Sequence, residues 1–238
     1  MIFLFNSKFA PLTNHIGFIK GDLETILLGI IEWLEWLPKT KRRGLKYKTE
    51  PFTDNFEGAL SLFDIFNIFD VRKRLIFETD GKWVGYIDNN WRGPNISSLE
   101  VVSQRIKMEY IGFKAWEYNF SKLPIANGWG GGGFTYINAN GLERGVQLSP
   151  EGSKWEFHQY GEPFSFEDIS LYKKRPIKDR LTPEILDSYA KEFGVDFFNE
   201  DFYLPKGSKA YVIRTRGQKL DGEEDLSLEE VRKRLELE

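Results

Sequence analysis

Few side chains in this chain are equipped for chemistry. The two histidines are His15 and His158. They sit in different segments, and neither has an HxxxH or HExxH partner, so no local metal site is spelled out. His158 alternates with Glu156 and Tyr160, so on a strand the three share one face. A glutamate beside a histidine raises the imidazole pKa and orients the ring, which would suit polarising a substrate. The same alternation also simply solubilises the outer face of a sheet. With Asp88 as a third group, Asp88, Glu156 and His158 make a candidate acid–base set for a hydrolase or nucleic-acid-processing enzyme. That reading requires the fold to bring them together.

A second constellation is D-N-N-W-R-G-P at residues 88–94. It leaves a strand and leads to a capped helix, so it reads as a surface loop. Tryptophan and arginine are among the side chains most enriched in binding hot spots. Asp88, Asn89, Trp91 and Arg92 are therefore candidate contact residues, joined by Trp129 from the glycine-rich patch at 128–133. The alternative is local: Asp88 and Asn89 build an Asx turn while Trp91 covers the core. The glycine patch lacks the Lys-Ser/Thr ending of a P-loop and the strand–helix setting of a dinucleotide site, and reads as a mobile loop ahead of a strand. No G-x-S-x-G elbow or kinase set is present.

Two basic clusters would suit phosphates. One is Lys39, Lys41, Arg42, Arg43, Lys46 and Lys48, with Tyr47 available for stacking; the other is Lys173, Lys174, Arg175, Lys178 and Arg180. Each also reads as an ordinary solvated run. With 33 Lys+Arg against 36 Asp+Glu the net charge is −3, which lacks the basic excess of a dedicated nucleic-acid binder. Residues 221–238 hold eight acids and three bases, so residues 1–220 carry +2 and the C-terminal segment is acidic. Such a segment could lie over a basic cluster. The chain has 0 cysteines, which removes disulfides, thiolate nucleophiles and thiolate metal sites. No cofactor or metal is expected.

The elements that must position these groups follow from pattern. With 238 residues, 41% hydrophobic and 16% aromatic, the chain can bury a large core. Residues 1–5 are apolar but too short for a signal peptide. Residues 23–37 are too short and too acidic to span a bilayer. A cytoplasmic protein without membrane contact is expected. Asp22 caps a helix over 23–37 whose polar residues fall within a sector of about 100°, so it should be largely buried, and Pro38 marks its end. Strands are expected over 45–52, 110–118, 134–138, 144–148, 154–160 and 211–215. A hairpin over 74–79 and 82–88 should turn at Asp80-Gly81 in type I′ geometry. Turn signals at Asn140-Gly141 and at Pro150-Glu151-Gly152 separate a meander. Ser97-Ser98-Leu99-Glu100 reads as a capping box with an Ile96/Val101 staple, and residues 227–230 as a second one. Thr182 caps a helix with Pro183 in its first turn and Gly194 at its end. The expected fold is α+β: an antiparallel sheet of hairpin plus meander packed with several helices. It should form a single domain over 1–220, with any subdivision near 120–133, and an acidic segment with a short helix over 221–238.

Three stretches carry a family resemblance: T-D-G-K-W-V-G-Y-I-D-N-N-W-R-G at 79–93, W-E-F-H-Q-Y-G-E-P-F at 155–164, and R-L-T-P-E-I-L-D-S-Y-A-K-E-F-G at 180–194. Spanning residues 75–203, they resemble a family of uncharacterised bacterial proteins, for which no catalytic residue can be carried over. In composition the chain also resembles immunity proteins of polymorphic-toxin systems. The resemblance implies a protein-binding module of immunity or antitoxin type that occludes a protein partner. An aromatic/Arg patch near residues 88–92 and Trp129 is the surface we expect to do so.

Overall fold

A computed structural model describes residues 3–40, 46–116, 131–151, 154–217 and 221–237. Among them the chain forms β1 (His15–Lys20), α1 (Leu23–Thr40), β2 (Lys46–Phe52), α2 (Phe56–Ser61), β3 (Phe66–Asn67), β4 (Lys73–Glu78), β5 (Trp83–Asp88) and α3 (Ser97–Ile106). There follow β6 (Tyr110–Ala115), β7 (Gly132–Ile137), β8 (Glu143–Glu151), β9 (Lys154–Tyr160), α4 (Pro183–Glu192), β10 (Ala210–Arg216), β11 (Asp225–Leu226) and α5 (Leu228–Arg234). Nine strands make one antiparallel sheet in the order β2-β10-β4-β5-β1-β6-β7-β8-β9, and β3 pairs with β11 apart from it. The fold is α+β, and β7 to β9 are the expected meander.

The centre of the sheet is buried on both faces. Every residue of β5 is buried; Trp83 and Ile87 enter one core while Val84 and Tyr86 enter the other. The larger core holds Phe18, Phe77, Phe113 and Phe134 beneath α2, α4 and α5. The second lies under α1 and α3, with Ile19, Tyr110 and Ile137 facing Ile26, Ile30 and Val102. Strands covered on both sides need no polar alternation. That is why β1, a central strand reading H-I-G-F-I-K, carries no strand signal in the sequence reading.

Several local expectations change. Asp22 accepts the Thr25 N–H at 2.9 Å and caps α1 as expected. The helix nevertheless runs to Thr40, since a proline in a last turn removes only one backbone bond. It is not largely buried: Leu28 is 60% and Trp36 41% exposed, because only the sides facing the sheet and α3 are covered. The β4–β5 connection spans Thr79, Asp80, Gly81 and Lys82. Neither Asp80 nor Gly81 takes the positive φ that a type I′ turn requires. Instead the Asp80 N–H donates to the Phe202 carbonyl at 2.9 Å. At α3 no side-chain cap forms: Glu100 accepts the Tyr110 hydroxyl at 3.4 Å, and Val101 is 41% exposed, so there is no staple. Pro150 and Glu151 belong to β8; Gly152 of that turn signal lies outside the described residues. Gly132 and Gly133 are strand residues of β7, not part of a loop.

The C-terminal helices match their signals. Thr182 accepts the Ile185 N–H with Pro183 in the first turn, and Ser227 and Glu230 form a complete capping box. Among the described residues the acidic segment pairs with other cations than those of the two basic clusters. Glu223 and Asp225 pair with Arg72, Glu224 pairs with Arg234, and Leu226, Val231 and Leu235 enter the larger core.

Candidate functional site

Where β5 ends, the chain turns on two enclosed side chains. Asp88 is 1% exposed and Asn89 fully buried, so neither meets solvent as a surface loop would have them do. One Asp88 oxygen accepts the N–H of Asn90 and of Asn95, both at 3.0 Å, and the other accepts the Tyr86 hydroxyl at 3.1 Å. The bond to Asn90 is the Asx turn of the alternative reading. The Asn89 oxygen accepts the N–H of Arg72 (2.9 Å) and Lys73 (2.8 Å), while its amide donates to the Ile65 carbonyl at 3.2 Å. Burial raises the Asp88 pKa, opposed by Arg74 and the backbone donors. Gly93 completes the turn at φ +97°, a conformation natural to glycine. Trp91 is half-buried and Arg92 exposed, with the guanidinium 4.5 Å from the Trp91 ring centre.

This pinned segment separates two cavities. The smaller, about 300 Å³, is lined by Trp33, Asn67, Asp70, Arg74 and Trp91. The larger, about 450 Å³, is lined by His15, Arg92, Gly112, Lys114, Thr135 and Gln147 among others. Its floor follows from strand register. His15 stands opposite Lys114, Lys114 opposite Gly133, Gly133 opposite Gln147, and Gln147 opposite His158. Directly opposed residues share a face, so this is one row across β1, β6, β7, β8 and β9. Gly133 is required by close approach of β8: a β-carbon there would come within 2.3 Å of the Val146 carbonyl oxygen. The neighbouring row runs Gly17, Gly112, Thr135, Gly145, where Leu99 and Ile96 pack over Gly17, the Tyr110 hydroxyl and Ile96 over Gly112, and the Tyr160 ring over Gly145.

The electrostatics of the pocket are one-sided. The Trp116 indole N–H donates to His15 Nε2 at 3.2 Å. An indole can only donate, so the His15 proton is on Nδ1, which donates to the Pro94 carbonyl at 3.2 Å. Burial, then the neighbouring Lys114, bring the His15 pKa down to about 3, against the Pro94 carbonyl. His15 is a neutral wall with both nitrogens engaged. Burial alone lowers Lys114 to about 8. Among the described residues Lys114 has no carboxylate within ion-pair distance, and no carboxylate lines the pocket.

The other expected groups do not converge here. Glu156 and His158 meet at 3.0 Å, both substantially exposed on the edge strand β9. Asp88 is five strand positions away in the sheet order, about 24 Å at normal strand spacing. Lys46 and Lys48 lie on the other edge strand, β2, where Lys48 pairs with Glu50 at 2.5 Å. Lys173, Lys174, Arg175 and Lys178 are exposed, and Arg180 Nε donates to the Lys174 carbonyl at 2.8 Å. Trp129, Lys41, Arg42 and Arg43, and the side chain of Lys39, lie outside the described residues. Among the described residues there is no cluster of His, Asp and Glu that could hold a metal ion, and no helix long and apolar enough to cross a membrane.

Lys114 is the group that sequence reasoning missed. A lysine in a strand reads as an outward polar residue. The available signal was Gly112, two residues before it and on the same face. Comparison with family models, with curated proteins and with solved structures returned no match.

Proposed function

We propose that this protein binds a small carboxylate- or phosphate-bearing ligand in the pocket between residues 90–97 and strands β6 to β8. One observation carries the reading: half-buried Lys114 lines a cavity of about 450 Å³ and has no counter-charge among the described residues. Partial desolvation of an ammonium without a partner carries a cost, and a ligand that brings the missing anion relieves it on binding. Arg92 adds a second cation at the rim, one that pairs with carboxylate or phosphate in a fork. The volume is in the range of small-molecule sites, about 300–1,000 Å³.

A thermal-shift series of the full chain with small carboxylates and phosphates tests this. A ligand at a hundred times its Kd stabilises by about 2.7 kcal/mol, which raises Tm by about 5–10 °C for a chain of this length. The rise should disappear in Lys114→Met and shrink in Arg92→Ala. A flat panel at 10 mM would mean that the pocket is not an anion site.

A second reading keeps the protein partner. Its support is the Arg92 guanidinium stacked on the half-buried Trp91 at the protein surface. Occlusion of a toxin by an immunity protein is the instance implied by the family resemblance. Alanine at Trp91 or Arg92 would then cost about 2 kcal/mol of partner affinity. Lys114→Met would leave that affinity unchanged, which separates the two readings.

A further inference from the structure

We infer that Lys114 is a nucleophilic amine that condenses with the carbonyl group of a small anionic aldehyde or 2-oxo acid, whose anionic group rests on Arg92; this builds on the anion-binding reading above. Three features of the pocket point to it. Lys114 lines a cavity roomy enough for a small molecule and stands opposite Gly133. Other lysines, including Lys8, Lys20, Lys48, Lys191 and Lys209, are tied to carboxylates, whereas Lys114 has none among the described residues. Arg92 lines the same cavity and stays cationic at any working pH, so an anion can be seated while the amine reacts.

The low-dielectric setting supports the chemistry. With its pKa brought down to about 8, roughly a tenth of Lys114 is unprotonated at pH 7, against fewer than about one in a thousand for an ordinary lysine. Enclosed amines of this kind are the ones that serve as Schiff-base lysines. The Lys114 Nζ lone pair attacks the carbonyl carbon, a C–N bond forms, and the carbonyl π pair moves to oxygen. A proton passes from nitrogen to that oxygen through solvent, giving a carbinolamine. Loss of its hydroxyl as water, with the second nitrogen proton, leaves the C=N bond. One water is released and nothing is oxidised or reduced. His15 takes no proton in this sequence, because its Nε2 already accepts the Trp116 N–H.

The test uses pyridoxal 5′-phosphate as aldehyde probe and pyridoxine 5′-phosphate, its alcohol counterpart, as control. The full chain is incubated with limiting pyridoxal 5′-phosphate at pH 8. Borohydride then delivers hydride to any imine carbon, and peptides are mapped by mass spectrometry. We expect one dominant adduct at Lys114, formed at least tenfold faster than at any other lysine and slowed in Arg92→Ala. In Lys114→Arg, whose folding is checked by its melting curve, that adduct should vanish. Pyridoxine 5′-phosphate should still raise the Tm of that variant. Labelling spread evenly over surface lysines, or an unmodified Lys114, overturns the inference. If pyridoxine 5′-phosphate stabilises the wild type while no Lys114 adduct forms, the condensation is wrong and anion binding stands. If neither compound acts, both fall.

Discussion

Lys114 and His15 stand directly opposite each other across the β1–β6 ladder, yet only Lys114 changes charge near neutral pH. The titratable side chains on the pocket wall are His15, Arg92 and Lys114 among the described residues. His15 is neutral above about pH 4, and Arg92 is cationic throughout. Anion affinity should therefore follow Lys114 alone. It is highest below about pH 8 and falls about tenfold per pH unit above it, until Arg92 is the remaining contact. Titration with sulfate, whose charge is constant over this range, at pH 6.5 and 9.5 checks the sign. Affinity that is unchanged, or that rises with pH, would place the anion elsewhere.

A half-buried cation without a counter-charge among the described residues should also weaken the free protein. The folded state lowers the Lys114 pKa from 10.5 to about 8, so between those values the unfolded chain holds the proton and the folded one does not. Stability then rises with pH across that window, and at pH 7 the full cost of the buried ammonium is present. Lys114→Met removes the charge and keeps the stem, so it should raise stability at pH 7 by about 1–3 kcal/mol while abolishing anion binding. Denaturant unfolding at pH 7 measures it. A destabilised variant would show that Lys114 has a counter-charge.

Asp88 should act on the pocket through the backbone. Asp88→Ala leaves the N–H groups of Asn90 and Asn95 and the Tyr86 hydroxyl without their acceptor. A cost of about 3 kcal/mol is expected, with a parallel loss of anion affinity as residues 90–95 loosen. Asp88→Asn keeps one acceptor oxygen and should recover most of both. Equal affinity in the two variants at matched folding would mean that this segment does not shape the site.

What the sequence disclosed followed from how local each signal is. The caps at Thr182 and Ser227 need only neighbours within one turn, and both formed as read. The pattern at residues 97–100 is equally local, but Glu100 found the Tyr110 hydroxyl on the next strand, and tertiary packing won. β1 was hidden because burial on both faces erases alternation. The site was legible in part: of residues 88–92, Asn90, Trp91 and Arg92 border the two cavities, but the enclosed Asp88 and Asn89 look from sequence like any polar loop. Lys114 was illegible because its setting comes from register across β1, β6, β7 and β8, with its partner His15 99 residues away.

The most enclosed ion pair lies on the opposite face of the sheet from the pocket and should be structural. Arg144 Nε and Nη2 donate to the two oxygens of Glu167 at 2.9 and 2.5 Å. Arg144 also donates to the carbonyls of Tyr160 (2.9 Å) and Gly161 (3.1 Å) and to Gln159 Oε1 (3.0 Å). Glu167 further accepts the Tyr172 hydroxyl at 2.6 Å and the Phe164 N–H at 2.8 Å. The pair thus ties residues 160–172 to β8. Removing one partner strands the other, so Arg144→Met should cost about 3–5 kcal/mol. The double variant Arg144→Met, Glu167→Met should recover part of that loss, because no buried charge is left alone. Burial pushes the Glu167 pKa up, but Arg144, Tyr172 and the Phe164 N–H outweigh it and hold the carboxyl below its usual 4.5. Its contribution is therefore complete above that value and is lost as pH falls through the lowered one. Glu167→Gln should flatten the acid limb of the stability profile while leaving anion binding by Lys114 intact. A double variant less stable than Arg144→Met alone would show that Glu167 has support independent of Arg144.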